Sequence, residues 1–234
     1  MQGKKAFIHK MFSEIAPIYD RMNRLISFGF DNSWRRRAVK PLVAANRVLD
    51  LCAGSGDMAI ALLEQNDFAG DVVLCDFNRD MLHLGKRKCS RQDGGQFVDR
   101  IMLVVADAEL LPFKEGSFDG VTIGFALRNL PSLEKLSSEI MRAMKKEGLA
   151  VFLEVAHPEN GIIAALFHLY FYKLVPAISK YLTTQKYAYR YLPASLRIFL
   201  KQRELVELFR KAGFPSVSYS NIWGGMGAIY FLRK

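Results

Sequence analysis

The ten residues from Val48 to Asp57, V-L-D-L-C-A-G-S-G-D, constrain this chain more than any other stretch. An apolar run with an acid near its end reads as a buried strand. The glycines after it allow a tight turn, and a helical pattern follows. A second apolar run, V-V-L-C-D, closes at Asp76. Nucleoside-binding βαβ units place a carboxylate about 20 residues beyond the glycine turn, where it meets ribose hydroxyls. Strand, turn, helix and terminal acid together predict a nucleoside cofactor on the first half of the chain, with Asp50, Gly54, Gly56 and Asp76 around it.

The turn also narrows the choice of cofactor. Gly54 and Gly56 are present, but Ala59 stands where a dinucleotide fingerprint usually has its third glycine. A pyrophosphate needs free N–H groups at the helix N-terminus, and here the carboxylates of Asp50 and Asp57 flank the turn with the wrong sign. S-adenosylmethionine has no phosphate. Its sulfonium, ammonium and ribose diol all gain from acidic neighbours, so the pattern favours a methyl donor over a hydride donor. Taken singly, Asp57 also suits a helix N-cap and Asp50 a buried turn acceptor.

At 234 residues, half of them apolar, the chain is long enough for one sizeable core. One domain over 1–234 is expected, with an N-terminal helical region (1–45) over the active site and a helical insertion or lid at 158–200. The N-terminus, M-Q-G-K-K-A-F-I-H-K, lacks the apolar stretch of a secretory signal, so a cytoplasmic location is expected. Three cysteines make no disulfide framework and fit no zinc spacing, and no metal is expected. Thirty-three Lys and Arg against 23 Asp and Glu leave a charge of +10, which raises nucleic acid or an anionic membrane as partners. The basic residues do not form one stripe, however. Arg35, Arg36 and Arg37 are consecutive and would fan out at about 100° each on a helix, and Lys86, Arg87, Lys88 and Arg91 behave alike. A solvated basic surface is the expected reading, and it still favours residence near acidic lipids.

Strands are expected at 47–52, 71–76, 101–106, 118–125 and 149–155, with helical patterns between them. Two further runs, 216–222 and 228–232, are joined by W-G-G-M-G, a link short enough for a hairpin. This alternation predicts an α/β fold of Rossmann-like type: a seven-stranded, mostly parallel sheet with a C-terminal antiparallel hairpin, helices on both faces, and ligands at the carboxyl ends of the strands.

Those strand ends carry the chemistry. Asp107 and Ala108 end the third strand, where a carboxylate can accept from an adenine amino group and the next N–H can donate to the ring; Asp107 equally suits a helix N-cap. The fourth strand runs into G-F-A-L-R-N-L-P, with Gly124, Arg128 and Asn129. Amino-methyltransferases of nucleic acids use an N-P-P-Y-like loop here, and N-L-P-S lacks the aromatic residue that would stack a base. No nucleophilic cysteine for pyrimidine C5 methylation follows the fourth or fifth strand, so no nucleic-acid partner is expected. Glu154 and His157, after the fifth strand, could face an acceptor, although a capping Glu and a surface His explain them as well. Between Ile162 and Val175 only His168 and Lys173 interrupt an apolar run too short for a bilayer span of about 20 residues. A buried core helix is the leading expectation, with a lid or an interfacial helix as alternatives.

Beyond these readings, the chain resembles a known family nearly throughout. The segments F-S-E-I-A-P-I-Y-D-R-M-N-R-L-I-S-F-G-F-D-N-S-W (12–34), V-L-D-L-C-A-G-S-G-D, A-D-A-E-L-L-P-F, G-F-A-L-R-N, Y-R-Y-L-P-A-S-L (189–196) and A-G-F (212–214) are similar to the C-methyltransferases of menaquinone and ubiquinone biosynthesis. The resemblance implies a class I methyltransferase fold and cofactor contacts at Ser55, Asp76, Asp107, Ala108 and Gly124. Ser55 replaces the family's usual Thr, Gly124 a common Ser, and Ala126 a usual Gly. The end of the chain lacks the Thr and the late His often seen there.

The resemblance further implies methylation of a ring carbon on a prenylated quinol. Loss of the ortho hydroxyl proton pushes charge onto that carbon, which then takes the methyl group by direct displacement, a step governed by alignment. Arg128 is the candidate for stabilising the phenolate or holding a proton-accepting water, with Asn129 orienting it; a structural ion pair is the competing role for Arg128. Tyr19 and Asp20 are expected to help close the pocket. The prenyl tail would lie between the N-terminal helices and the 162–175 run, bringing the protein into peripheral contact with the membrane. A methyltransferase acting on RNA or another small molecule, and a cofactor-binding protein without catalysis, are the alternatives.

Overall fold

The computed structural model describes residues 2–16, 20, 23–24, 27, 29–91, 95–175 and 186–234. Tyr19 lies outside them. Seven strands form one sheet in the order β3-β2-β1-β4-β5-β7-β6. They are β1 (Arg47–Leu51), β2 (Asp71–Asp76), β3 (Ile101–Val105), β4 (Phe118–Gly124), β5 (Met144–Val155), β6 (Ser216–Ile222) and β7 (Gly227–Arg233). β1 to β5 pair in parallel, while β7 runs antiparallel to both β5 and β6. The expected α/β sheet with its C-terminal hairpin is the one that forms.

β1, β2 and β4 are interior to the sheet and buried on both faces, which is why they read as continuous apolar runs without alternation. Their side chains divide between two cores. Leu49, Leu51, Val73 and Cys75 point to one face, packed with Leu136, Ile140, Leu205 and Phe209. Val48, Val72 and Leu74 point to the other, packed with Ala38, Met58, Leu62 and Leu82. β5 begins at Met144, five residues ahead of its expected start. A register shift between the Phe118–Met144 and Gly120–Leu149 pairs absorbs the extra residues, and Glu147 there takes a left-handed φ of 61°.

The helices supply the two outer layers: α1 (Gln2–Ile15), α2 (Asp31–Val39), α3 (Asp57–Leu63), α4 (Arg79–Arg91), α5 (Leu133–Ala143), α6 (Gly161–Leu169), α7 (Lys186–Arg197) and α8 (Gln202–Lys211). Local signals explain where they begin. Ser132 accepts from Lys135 N at the start of α5, and Asn160 accepts from Ile162 N and Ile163 N at the start of α6. Leu136, Ile140 and Ala143 then bury one face of α5 at helical spacing.

The 162–175 run is not the core helix that its composition suggested. It forms α6 and a following π-helical turn (Tyr170–Leu174), and only Phe167, Phe171 and Val175 are buried. Phe167 and Phe171 pack against Leu196 of α7 and Met226. On the opposite face Ile162, Leu166 and Leu169 remain 76%, 62% and 50% exposed. The run is inserted after the last parallel strand and finds partners on only one of its faces, Leu196 of α7, Met226 and Val155 at the end of β5.

Candidate active site

The carboxyl ends of β1, β2 and β4, together with the loop after β3, open a cleft whose outer wall is α1. Lys5, Ile8 and Phe12 of that helix face Gly54, Asp76, Asp107, Ala108 and Gly124 across it. Two strands reach the cleft through the same unusual backbone: the residues just after β1 and β4, Cys52 and Phe125, both sit at left-handed φ, 56° and 58°. A non-glycine residue holds that conformation only when its surroundings impose it.

At the first turn the main chain does the holding. Asp76 accepts from Gly54 N and Asn78 N, each at 2.8 Å, so the end of β2 grips the glycine turn after β1. Burial pushes the Asp76 carboxyl up, and these N–H groups pull it back. Asp50 is wholly buried beneath the turn and accepts from Ala59 N at 3.1 Å. Burial lifts its pKa to about 8, so at neutral pH it is mostly uncharged. Asp57 is paired with Lys88 and, at 3.4 Å, with Arg35. The two charges inferred at this turn from sequence are therefore one neutral acid and one neutralised carboxylate. The acids that line the cleft itself are Asp76 and Asp107.

The candidate contacts separate accordingly. Gly54, Asp76, Asp107, Ala108, Gly124 and Asn129 are brought together around the cleft, whereas Asp50, Ser55 and Gly56 lie beneath it. The Ser55 hydroxyl donates to Asp20 Oδ1 (3.1 Å) and accepts from Lys88 Nζ (3.3 Å), turning away from the cleft lining. Lys88 also pairs with Asp20 at 2.9 Å, which fastens that part of the N-terminal segment to the turn. Gly56 serves packing: a Cβ there would lie 2.9 Å from Leu74 Cδ2. At Gly124 a Cβ would meet Met58 Cγ at 2.7 Å, so the serine common at this place would require the Met58 side chain to shift.

Asp107 caps no helix. It accepts from Glu109 N at 3.0 Å within a turn closed by Leu110 N on its own carbonyl. Lys5 reaches it from α1 at 2.6 Å and reaches Glu109 at 2.7 Å. Burial alone would raise the Asp107 carboxyl, but the Lys5 bond, the Glu109 N–H and the charges of Lys5 and Lys135 together outweigh it and leave the pKa lowered.

Around β4 the holding is done by side chains. Arg128 donates to Phe125 O at 2.9 Å and to Glu154 Oε1, forming an ion pair in which Glu154 has no exposure. Burial raises the Glu154 carboxyl and Arg128 opposes that shift. Arg128 does not line the cleft, so the structural ion pair weighed for it is the one that forms. Its neighbour Asn129 does line it. His157 turns away, its Nε2 3.2 Å from Phe199 O.

Asn78 escaped the sequence reading. Its Oδ1 accepts from Asp80 N and Met81 N at the start of α4, and its Nδ2 donates to His9 O (3.1 Å) and Ser13 Oγ (2.9 Å) of α1. An Asn just ahead of a helical pattern is an N-cap signal that could have marked it. Nothing local marks Lys5, Ile8 or Phe12, which meet the cleft only through the fold.

This donor set suits S-adenosylmethionine. Two carboxylates line the cleft, main chain is exposed at Gly54 and Gly124, and apolar walls stand at Ala108 and Met81. The basic lining residue, Lys5, is already engaged by Asp107 and Glu109, so no cation is left over for a pyrophosphate among the described residues.

A model of the ubiE/COQ5 methyltransferase family matches residues 1–234. The chain belongs to that family. It is 40% identical to the ubiquinone/menaquinone biosynthesis C-methyltransferase UbiE of Geotalea uraniireducens, over all of this chain and 97% of that one. It is 38% identical to the demethylmenaquinone methyltransferase of Lactiplantibacillus plantarum, over 97% of this chain and 95% of that one. Among solved structures, an S-adenosylmethionine-dependent methyltransferase from Thermotoga maritima superposes with a TM-score of 0.67 at 18% identity, covering 96% of this chain and 98% of its own. One from Aquifex aeolicus gives 0.62 at 12%, covering 91% and 96%. These two likenesses speak for the fold. As a ubiE/COQ5 family member the protein is an S-adenosylmethionine-dependent C-methyltransferase.

Proposed function

We propose that this family member methylates a ring carbon of a prenylated quinol, converting demethylmenaquinol to menaquinol or acting on the corresponding ubiquinol precursor. The observation that carries the reading is the full-length match to relatives named for that reaction, which includes the N-terminal segment as well as the glycine turn. Gly54, Asp76, Asp107, Ala108 and Gly124 hold the cofactor, which when bound supplies an electrophilic methyl group. α1 excludes water from the cleft with Ile8 and Phe12. Asn129 faces the acceptor. Arg128, paired with Glu154 outside the lining, holds the 125–129 turn in shape and acts on the acceptor through Asn129.

The exposed face of α6 gives the prenyl tail a route from the membrane. Ile162, Leu166 and Leu169 share that face with Lys173, and the exposed Trp223 lies on the β6–β7 turn, whose Gly224 packs against Ile163. Aliphatic and aromatic side chains beside a cation suit an anionic bilayer surface. Among the described residues no helix is long and apolar enough to cross a membrane, so the contact proposed is peripheral.

The test is methyl transfer from labelled S-adenosylmethionine to chemically reduced demethylmenaquinone, with a benzoquinol analogue and total RNA as competing acceptors. Label in either quinol supports the reading. Label in RNA at physiological salt with none in the quinols overturns it, and salt-sensitive RNA binding without transfer reports only the +10 charge.

A further inference from the structure

Asn129 is a side-chain amide in the cleft, and an amide can present either its oxygen or its NH2 to a ligand. The two ends have opposite consequences for an acceptor whose ring oxygen gains negative charge as its proton leaves to water. A donor stabilises that charge and an acceptor repels it. The backbone of the turn does not decide between them. Asn129 N donates to Ala126 O at 2.9 Å, which fixes the main chain and leaves the amide free to rotate.

The decision comes from 62 residues away. Tyr191, on α7, donates its hydroxyl to Asn129 Oδ1 at 3.2 Å. With the tyrosine hydroxyl on the oxygen, the NH2 is the end left to meet a ligand, and among the described residues nothing accepts from it. The tyrosine is itself well placed to hold this arrangement. Its ring packs with Ile8, Met11 and Ile15 of α1 and lies 5.6 Å from the Phe7 ring. Burial raises its pKa, Arg128 opposing and Glu154 reinforcing that shift, so the hydroxyl keeps its proton.

We propose that Tyr191 is a positioning residue for methyl transfer: its hydroxyl holds Asn129 with the amide NH2 turned toward the ring oxygen of the acceptor. The inserted helices then contribute to the chemistry as well as covering the tail, because one of them sets the polarity of the group facing the acceptor. This inference rests on the quinol reading above.

The experiment compares wild type, Tyr191→Phe, Asn129→Ala and the double variant on reduced demethylmenaquinone, with cofactor affinity and thermal unfolding measured for each. Removing a direct oxyanion donor costs about 100-fold in kcat. Asn129→Ala should approach that loss, and Tyr191→Phe should lose about tenfold in kcat with quinol KM, cofactor affinity and unfolding midpoint nearly unchanged. The decisive expectation is that the double variant is no slower than Asn129→Ala, since the phenol acts only through the amide. Full kcat in Tyr191→Phe, a loss that multiplies in the double variant, or a fall in kcat that tracks a fall in unfolding midpoint each overturns the inference. A wild type that methylates no quinol overturns the quinol reading and this inference with it, whereas an active wild type beside an unimpaired Tyr191→Phe overturns only the latter.

Discussion

The turns after β1 and β4 solve the same problem by different means. Each carries a non-glycine residue at left-handed φ, Cys52 and Phe125, and each brings main chain to the cleft. After β1 the strain is held by backbone N–H groups on two acids, Asp50 under Ala59 and Asp76 under Gly54. After β4 it is held by the buried Arg128–Glu154 pair, whose guanidinium also takes Phe125 O, and by Arg35, which stands over the Phe125 ring at 5.2 Å. The first solution is compact in sequence, its bonds lying within residues 50–76. The second draws on β5 and the N-terminal helices, so the shape of the acceptor side depends on elements distant in the chain.

The sharpest way to break this comparison is to unpair the second turn. Glu154→Ala leaves the Arg128 guanidinium buried without its partner and should cost about 3–5 kcal/mol in denaturant unfolding. A loss below about 1 kcal/mol would show that the pair does not hold the turn.

The first turn is probed by pH. The Asp50 carboxyl has a folded-state pKa of about 8 against an ordinary value of 3.8. Between those values the folded state keeps a proton that the unfolded state releases. Its contribution to stability is thus complete below about pH 4 and declines as pH rises toward 8, by at most about 1.4 kcal/mol per pH unit. Asp50→Asn can still accept from Ala59 N but does not titrate. Across unfolding curves at pH 5, 6.5 and 8, wild type should lose stability relative to Asp50→Asn. Parallel profiles would mean that Asp50 is ionised in the fold.

The smallest effect is expected at Ser55. Its hydroxyl serves Asp20 and Lys88, so Ser55→Ala should cost about 1 kcal/mol in stability and leave cofactor affinity, measured by calorimetry, within about threefold of wild type. A loss above tenfold would place the hydroxyl on the cofactor and return Ser55 to the cleft.

Legibility followed sequence distance. β2, the glycine turn and the terminal acid Asp76 were readable because a buried parallel strand must be apolar throughout and a tight turn needs glycine. The hairpin was readable from two short strand-like runs across W-G-G-M-G. The early start of β5 was hidden, since a register shift has no local pattern. The charge at the glycine turn was misjudged for a related reason: Asp50 looks like any acid in sequence, and only complete burial makes it neutral.

The 162–175 run shows the same limit from the apolar side. Composition marked it as hydrophobic, and the fold left half of that surface facing outward.

By itself, then, the sequence determined the order of strands and helices, the cofactor turn and its acid, because these rest on periodicity, glycine and contacts a few residues apart. Only the tertiary structure decided that Ser55 faces Lys88 and Asp20, that Arg128 is committed to Glu154, and that Tyr191 reaches Asn129. Those partners lie from 26 to 62 residues apart. Which polar groups meet across such distances is set by how the layers pack against the sheet, and no local pattern of residues encodes it.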